Sequence, residues 1–547
     1  MKKSRDKQEC INLVQTLPEL LYTLSSVYVD LPAVQMNTKD DVRVISFHQL
    51  WIDVCNVGKI MHDKKWKGKN VALIGTLDYE WIVAFLAIVS SGNIAVPIDK
   101  QTNGINELLH MAEVIGLYID SSVKNMDTFE SEIKEKCIFS NNSEIKNSIN
   151  IMDYCGRKTS NGLNCVNKED SAIIIFTSGT TGKSKGVVLT HESIISNVKC
   201  GRYFVEGMLE EGDTTIPVLP PTHMFEITAG MLIPLSFGTS LCFGGSMKYI
   251  SNHIKKFKPK LMVLVPMIIE NMYDKVMIQV KKKVTEKKLK RIITISNTLR
   301  RVGIDLRKVL FKEIRTSFGG NMDFIISGGA ALNEEIVKAF DDFGIGVYEG
   351  YGITECSPII SCNRMKQRKM GAVGVKGPDE FCEVQIIHDE VCVKGSIVFK
   401  GYYNDETLTR EFLKDGWFHT GDLGKIDEDG FIFITGRKKN LIILSDGNNV
   451  SPEEIEKYFA NCQWIQSLFV NEKSVDGKKY IAASVYPNYE LREENPNLDL
   501  EQLIRDTVKE VNLKLPPYKR IQKIDFYAED FEKTALGKIR RFKYKGE

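Results

Sequence analysis

The residues between Phe176 and His191 combine the chemical groups that bind phosphate. They read Phe-Thr-Ser-Gly-Thr-Thr-Gly-Lys-Ser-Lys-Gly-Val-Val-Leu-Thr-His, after a strand predicted over residues 172–176 and before a helix predicted near Glu192. Glycines let backbone amides approach an anion without obstruction from a Cβ atom. Hydroxyl and ammonium groups add further donors. The sequence therefore predicts a phosphate-binding loop built from Thr177, Ser178, Gly179, Thr180, Thr181, Gly182, Lys183, Lys185 and Gly186.

A Walker A motif is a minor alternative for this loop, because Gly-Lys-Ser occurs at residues 182–184. That motif requires a glycine five residues before its second glycine. The corresponding position is Thr177, so the spacing disfavours a P-loop NTPase.

Three charged residues outside this loop also enter the argument below. Glu355 and Asp422 carry carboxylates, and Lys538 carries an ammonium group near the end of the chain. Each also has an ordinary interpretation, since an exposed carboxylate often pairs with a lysine and a lysine in a basic tail is usually solvated.

The elements that must position these residues alternate between apolar strands and helices. Strands are predicted over residues 71–75, 94–99, 172–176, 215–219, 261–266 and 324–328, with helices between them, including one over 79–91. This alternation predicts an α/β fold with parallel sheets covered on both faces. After about residue 376, short strands and turns predict a small β-barrel-like region, followed by an α+β domain. The expected domains are therefore residues 1–437 and 438–547.

Composition narrows the class of protein. The chain has 547 residues, more than a single core usually supports, with 43% hydrophobic residues and a formal net charge of +2. No two of its 12 cysteines form a C-x-x-C pair, which argues against zinc ribbons and thioredoxin-type centres. No signal peptide or membrane-spanning stretch is expected. Reduced thiols and a cytoplasmic location are therefore expected, with no nucleic-acid partner.

The segment over residues 281–291 is strongly basic, with seven Lys or Arg residues against Glu286 alone. Val276, Met277, Val280 and Val284 fall at helical spacing beside it. An ordinary solvated helix is favoured over lipid contact, although peripheral membrane contact stays open.

Taken together, these motifs resemble those of the adenylate-forming superfamily of acyl-CoA synthetases, luciferases and peptide-synthetase adenylation domains. Besides the loop at 176–191, they comprise residues 220–226, 326–332, 348–358, 417–424, 435–440 and 534–541, in the order of that family. Ser184 stands where the family usually has proline. The resemblance covers nearly the whole chain and implies the family's two-domain architecture, with a small mobile C-terminal domain.

The resemblance also implies a role for each matching residue. Gly328, Gly329 and Ala330 would admit adenine and the start of the acyl chain, and Tyr351 and Gly352 would lie against adenine. Thr354 would contact the α-phosphate, Glu355 would hold Mg²⁺, and Asp422 and Arg437 would bind the nucleotide. His223 would border an acyl pocket in which Ala229 and Gly230 leave room, although a histidine there is more often structural. Lys439 would act as the hinge and Lys538 as the adenylation lysine.

The implied reaction joins a carboxylic acid to ATP, giving an acyl-adenylate, and then to a thiol. The sequence Ser-Gly-Gly-Ala-Ala at residues 327–331 and the extra basic segment between Pro266 and Phe324 resemble features of long-chain fatty acyl-CoA synthetases. We therefore expect ATP, Mg²⁺, coenzyme A and a medium- or long-chain fatty acid. A ligase that loads an acyl carrier protein stays open, and a non-catalytic binder is disfavoured because Glu355, Asp422 and Lys538 are all present.

Overall fold

The chain forms two compact units. The computed structural model describes residues 2–38, 41–102, 104–123, 126–134, 136–140, 145, 148–156, 165–178, 184–245, 249–444, 448–475, 478–534 and 537–544. The first unit comprises Met1–Glu383 and Val393–Phe418, and the second comprises Val384–Cys392 and His419–Glu547. Residue 437 lies within the second unit. The expected domain boundary at that residue stays a prediction.

Helices occupy both units. In chain order they are α1 (Lys2–Leu13), α2 (Leu17–Val27), α3 (Phe47–Asp63), α4 (Tyr79–Ser90), α5 (Ile105–Met111), α6 (Ser131–Lys134), α7 (His191–Phe204), α8 (Ile233–Ser236), α9 (Ile250–Phe257), α10 (Pro266–Lys283), α11 (Glu286–Arg301), α12 (Arg307–Leu310), α13 (Lys312–Ser317), α14 (Glu334–Asp342), α15 (Glu406–Phe412), α16 (Pro452–Glu456), α17 (Glu490–Glu494) and α18 (Leu500–Lys514). α4 is buried along its length and is capped by the preceding residue, Asp78, whose carboxylate accepts a hydrogen bond from the Trp81 amide. Such a cap satisfies an amide that the first turn leaves unpaired.

The strands are mostly short. In chain order they are β1 (Pro32–Asn37), β2 (Val42–Ser46), β3 (Asn70–Ile74), β4 (Ile94–Ile98), β5 (Gly116–Ile119), β6 (Cys137–Ser140), β7 (Ile149–Asn150), β8 (Ser171–Ser178), β9 (Ser184–Thr190), β10 (Thr214–Thr215), β11 (Ser240–Phe243), β12 (Leu261–Leu264), β13 (Phe324–Ser327), β14 (Gly346–Gly352), β15 (Ile359–Cys362), β16 (Val375–Lys376), β17 (Glu383–Ile387), β18 (Glu390–Lys394), β19 (Gly401–Tyr402), β20 (Leu413–Lys414), β21 (Trp417–Ile426), β22 (Ile432–Arg437), β23 (Ile442–Ile443), β24 (Asn449–Val450), β25 (Ile465–Val475), β26 (Lys478–Pro487) and β27 (Lys523–Phe526).

Two sheets of the first unit carry the predicted parallel strands. One has the order β19-β9-β8-β4-β3-β5-β6-β7, in which β3 pairs in parallel with β4 and β5. The other has the order β12-β13-β14-β15-β16, and its first three strands are parallel. The α/β prediction is therefore confirmed. The expected strand over 215–219 is reduced to β10. The helix predicted near Glu192 is α7, which begins at His191, and the unpredicted strand β9 lies between it and the first two glycines of the loop.

Apolar cores hold these sheets against the helices that cover them. One core in the first unit packs β3, β4 and β5 against α5, and another packs β12, β13 and β14 against α10 and α14. Val276 is buried in the second of these cores, and Met277, Val280 and Val284 pack against it. The apolar side of the basic segment therefore faces the protein, which supports the interpretation of this stretch as an ordinary helix over lipid contact through those four residues.

The second unit has its own core. Its sheet β25-β26-β27 packs with α16 and α18 around Ile455, Val470 and Ile504. A further sheet, with the order β17-β18-β21-β20 and β22 paired to β21, belongs mostly to this unit. Among the described residues of both units, no helix is long and apolar enough to span a bilayer.

Candidate active site

The phosphate loop joins two antiparallel strands. β8 and β9 place Thr177 opposite Lys185 where the two strands meet the loop. The Thr177 hydroxyl is buried and has no hydrogen-bond partner among the described residues. A buried hydroxyl usually has a partner, so this position fits a polar ligand. Gly179, Thr180, Thr181, Gly182 and Lys183 lie outside the described residues, as does the side chain of Ser178.

Lys185 and Glu355 meet across 170 positions of sequence. The Lys185 Nζ atom lies 2.8 Å from Glu355 Oε1 and 2.9 Å from the Tyr402 hydroxyl oxygen. The Tyr402 hydroxyl donates to the same Glu355 oxygen at 2.9 Å. The Glu355 side chain is only 4% exposed, whereas that of Lys185 is 25% exposed. The three groups form a hydrogen-bonded cluster, and its lysine still reaches solvent.

The aromatic ring of Tyr402 also supports this cluster. The Lys185 ammonium lies 4.4 Å from the ring centroid, a distance typical of a cation–π contact. Burial, followed by the nearby Glu355 carboxylate, raises the pKa of Tyr402 far above its usual range. The phenol therefore stays protonated and remains a hydrogen-bond donor. Tyr402 was not predicted, because an aromatic residue in the run Phe-Lys-Gly-Tyr-Tyr carries no motif.

Side chains from other elements fix the turn that carries Glu355. Asn197 on α7 donates to the carbonyls of Cys356 and Ile359 at 2.9 and 2.8 Å and accepts from the Ile359 amide. The Thr228 hydroxyl donates to the Ser357 carbonyl at 2.8 Å. The backbone carbonyl of Glu355 accepts from the Phe399 amide. These bonds come from three separate parts of the first unit, so sequence patterns gave no signal for them.

The predicted nucleotide residues of the 348–358 motif lie at the end of β14. Tyr351 and Gly352 are the last residues of the strand, and Thr354 begins the helical turn that contains Glu355. Gly352 is required by space, because a Cβ atom there would lie 2.2 Å from the Pro358 carbonyl oxygen. Thr354 and Glu355 are therefore brought together with Lys185.

Two glycines among the residues predicted to border the acyl chain have no room for a side chain. A Cβ atom at Gly328 would lie 2.6 Å from the Phe225 ring, and one at Gly230 would lie 2.7 Å from the Glu226 carboxylate. Gly328 follows β13, and exposed Gly329 and Ala330 continue the turn. The structure thus packs the 326–332 motif directly against the 220–226 motif.

A π-helical segment, Phe225–Leu232, carries Ala229 and Gly230, and both are buried. Half-buried His223 precedes it. Glu226 is buried and accepts a hydrogen bond from the Leu219 amide at 3.1 Å. Burial raises the pKa of Glu226 to about 8, against the opposing effect of backbone amide hydrogen bonds. At neutral pH the carboxyl group beside Gly230 is therefore mostly protonated.

Asp422 and Arg437 form an ion pair in the second unit. They face each other across β21 and β22, with Arg437 Nε 2.7 Å from Asp422 Oδ1. The Asp422 side chain is only 4% exposed. The preceding residue, Gly421, donates its amide to Glu390 at 2.8 Å, so Glu390 positions this segment. Lys439 lies in the short helical turn Lys438–Asn440 that follows β22.

Lys538 lies in a tight hairpin of the same unit. Its carbonyl accepts from the Thr534 amide at 2.7 Å, and Gly537 adopts a φ of 81° that favours glycine. Loss of hydration, followed by the charge of Arg437, lowers the pKa of Lys538 to about 8, while Asp422 acts in the opposite direction. The ammonium is thus crowded by protein atoms even though the residue as a whole is exposed. Asp422, Arg437 and Lys538 form a second electrostatic cluster.

Among the described residues, two places offer ligand atoms that could bind a cation. Glu355 presents a buried carboxylate beside the phosphate loop. In the second unit, single ligand atoms of Glu390, Cys392 and His419 lie within 4.8 Å of one another. Glu390 already accepts hydrogen bonds from Lys438 and Gly421, and burial raises the pKa of the Cys392 thiol to about 11. This second group is therefore better explained as support for the segment that holds Asp422.

Comparisons with known proteins agree with these motifs. The family model described as AMP-binding enzyme matches residues 25–403. The Rattus norvegicus protein named long-chain-fatty-acid–CoA ligase 5 is 29% identical over 494 residues, which cover 82% of this chain and 71% of that one. The Mycobacterium bovis protein named long-chain-fatty-acid–CoA ligase FadD15 is 27% identical, covering 87% and 86%.

Solved structures share the fold at lower identity. The anthranilate CoA ligase AuaEII in complex with anthranoyl-AMP has a TM-score of 0.79 at 20% identity, covering 97% of each chain. A Mycobacterium tuberculosis fatty acyl CoA synthetase has a TM-score of 0.67 at 21% identity, also covering 97% of each chain.

Proposed function

Because the chain belongs to the AMP-binding enzymes of the adenylate-forming superfamily, we propose that it is an AMP-forming acyl-CoA synthetase. Its substrates would be ATP, a medium- or long-chain fatty acid and coenzyme A. The fatty acid is supported by the names of the relatives and by the basic helices between Pro266 and Phe324. The expected cytoplasmic location stays a prediction.

The observation that carries the proposal is the cluster of Lys185, Glu355 and Tyr402. A buried carboxylate, a solvent-reaching ammonium and a Thr177 hydroxyl that has no partner within the described part of the chain adjoin a loop rich in phosphate donors. This donor set fits a triphosphate with its metal, since Mg²⁺ is commonly bound through one carboxylate plus substrate phosphates. Glu355 would hold Mg²⁺, which when bound supplies positive charge to the triphosphate.

The first unit would bind the triphosphate and the acid. The hydroxyls and amides of residues 177–182 and the Lys185 ammonium would orient the phosphates, with Thr354 contacting the α-phosphate. Tyr351, Gly352, Gly328, Gly329 and Ala330 would accept adenine and the start of the acyl chain. His223, Ala229 and Gly230 would border the rest of the chain, with His223 controlling access to the pocket.

The second unit would supply the remaining contacts. Asp422 would accept hydrogen bonds from both ribose hydroxyls, and Arg437 would contact the nucleotide. The acid carboxylate attacks the α-phosphorus, and the bond from that phosphorus to the pyrophosphate oxygen breaks. Lys538 would donate to the oxygens on which charge gathers during this step, a form of electrostatic stabilisation. A turn about Lys439 would then allow the thiol to attack the acyl carbon and release AMP.

The direct test measures nucleotide products across a panel of acids, with coenzyme A or acyl carrier protein as acceptor. We expect AMP and pyrophosphate with fatty acids and an acyl-CoA product. Release of ADP would refute adenylation, AMP release only with aromatic or amino acids would refute the substrate, and transfer only to carrier protein would replace the acceptor.

Peripheral membrane contact also belongs to the proposed function. Its support is charge, since residues 281–312 contain twelve Lys or Arg residues against two acidic residues. Basic segments of this kind are attracted to anionic bilayer surfaces.

A further inference from the structure

A cationic cavity opens on the first unit beside the end of α11. It has a volume of about 460 Å³ and is lined by four cationic side chains, two carboxylates, Asn297 and Met370. The cations are Arg300, Arg301, Lys338 and Arg368, and the carboxylates are Asp341 and Asp342.

The carboxylates of this cavity are already engaged. Asp341 lies 2.8 Å from Arg300 and 3.4 Å from Arg368, and Asp342 accepts from the Asn297 amide at 2.7 Å. Arg301 and Lys338 are exposed, and neither has an acidic partner among the described residues. The cavity therefore presents two uncompensated cations to an incoming anion.

An exposed apolar segment adjoins the cavity. Val302 and Val309 are 71% and 72% exposed, and Ile304, Leu306 and Leu310 are also exposed. Arg307 ties this segment to the cavity, because its guanidinium donates to the Asp341 carbonyl at 2.7 Å. Met370 of the cavity wall is exposed as well. Aliphatic side chains thus project next to unpaired cations.

We propose that residues 301–310 and the adjoining cavity dock onto a bilayer containing anionic phosphoglycerides, with a headgroup phosphate bound by Arg301 and Lys338. The two features match the two parts of such a lipid. Phosphate pairs with the cations, and the aliphatic side chains enter the boundary between headgroups and acyl chains. This inference deepens the proposed membrane contact and moves it from the apolar face of α10, which packs against the core, to the segment after α11.

A free phosphate or an acidic protein fits the surface less well. A soluble anion needs cations but no row of exposed aliphatic side chains. Protein interfaces usually depend on aromatic and arginine anchors, whereas the projecting residues here are valine, isoleucine and leucine. Basic residues of α11 before the segment, Lys308 within it and Lys312 after it continue the charge complementarity to an anionic surface.

The test is co-sedimentation of the full chain with vesicles of phosphatidylcholine, with and without a minority of phosphatidylglycerol. We expect binding only with phosphatidylglycerol, weakening as salt rises. Each cation near an anionic surface accounts for roughly a fivefold change in affinity, so Arg301→Ala with Lys338→Ala should weaken binding about 25-fold. Val302→Ser with Val309→Ser should weaken it too, and amide exchange should slow over residues 301–310 when vesicles bind.

A matched control changes an exposed leucine and lysine elsewhere. Leu513 is 81% exposed in the second unit, and Leu513→Ser with Lys514→Ala should leave vesicle binding unchanged. Equal binding to pure phosphatidylcholine, no effect of either variant pair, or binding of inorganic phosphate or polyglutamate without vesicles would each overturn the proposal. Ligase activity on a water-soluble acid without vesicles should be the same in all variants, so failure of membrane docking and failure of the proposed chemistry give different results.

Discussion

Removal of the Tyr402 hydroxyl tests whether the cluster in the first unit serves the nucleotide. Tyr402→Phe deletes one oxygen that lies 2.9 Å from both Glu355 and Lys185. The ring should stay in place, since its centroid packs 4.9 Å from that of Phe399 and 5.9 Å from that of Phe412. The variant therefore removes a hydrogen bond to a buried carboxylate and leaves the aromatic packing intact.

The size of the effect follows from that lost bond. A hydrogen bond to a charged group is worth about 1.5–3 kcal/mol, which corresponds to roughly 10–150-fold in an equilibrium or rate. If Glu355 holds Mg²⁺, a less well-ordered carboxylate should raise the Mg²⁺ concentration at half-maximal rate and lower kcat/KM for ATP by about that factor. The assay is pyrophosphate release over a range of Mg²⁺ concentrations at fixed ATP and fatty acid.

The neighbouring tyrosine provides a matched control. The Tyr403 hydroxyl also makes two hydrogen bonds, with Asn70 and Glu113, both at 3.0 Å, and neither partner belongs to the proposed site. Tyr403→Phe should leave the Mg²⁺ dependence unchanged. Equal losses in the two variants, or less than a twofold change in Tyr402→Phe, would refute the assignment of the cluster to metal and phosphate binding.

Three further predictions concern separate parts of the site. Lys538→Ala should slow adenylate formation by roughly 10²–10³, the scale of one lost transition-state donor, in a pyrophosphate-release assay, and should spare thioester formation from supplied acyl-adenylate. Because the pKa of Lys538 is lowered to about 8, its ammonium form disappears as pH rises through that value, so kcat/KM for adenylation should fall above about pH 8. Gly328→Ala should push on the Phe225 ring, at a typical overpacking cost of about 1–3 kcal/mol, and raise the KM for the fatty acid roughly 5–150-fold.

Each of these predictions has a result that contradicts it. Equal damage to both half-reactions by Lys538→Ala would remove its specific role, and Lys439→Pro should show the converse pattern, sparing the first step relative to the second. A fall in rate that persists at the same pH in Lys538→Arg would assign the titration to another group. If Phe225→Leu, which removes the crowded ring, does not restore the fatty-acid KM of Gly328→Ala, the packing explanation is wrong.

The sequence by itself determined the elements whose signals are local. β3, α4 and β4 were predicted within one or two residues, because continuous apolar runs bounded by polar residues and glycine specify buried strands and helices. The motifs also identified the family, since the spacing of glycines, hydroxyls and charged residues is itself the recognition feature. Strand β9 was not predicted, because its run Gly-Val-Val-Leu-Thr leads directly into helix α7 and has no turn of its own before the helix.

Only the tertiary structure decided which distant side chains surround the predicted ones. Tyr402 and Asn197 support Glu355 from positions 47 and more than a hundred residues away, and no local pattern encodes such a contact. The same holds for the basic helices. The spacing of their apolar residues predicted an apolar face, but only the structure shows that Val276 is buried in the core whereas Val302 and Val309 are exposed. Burial depends on what the rest of the chain places against a residue, and that information is absent from its immediate neighbours in sequence.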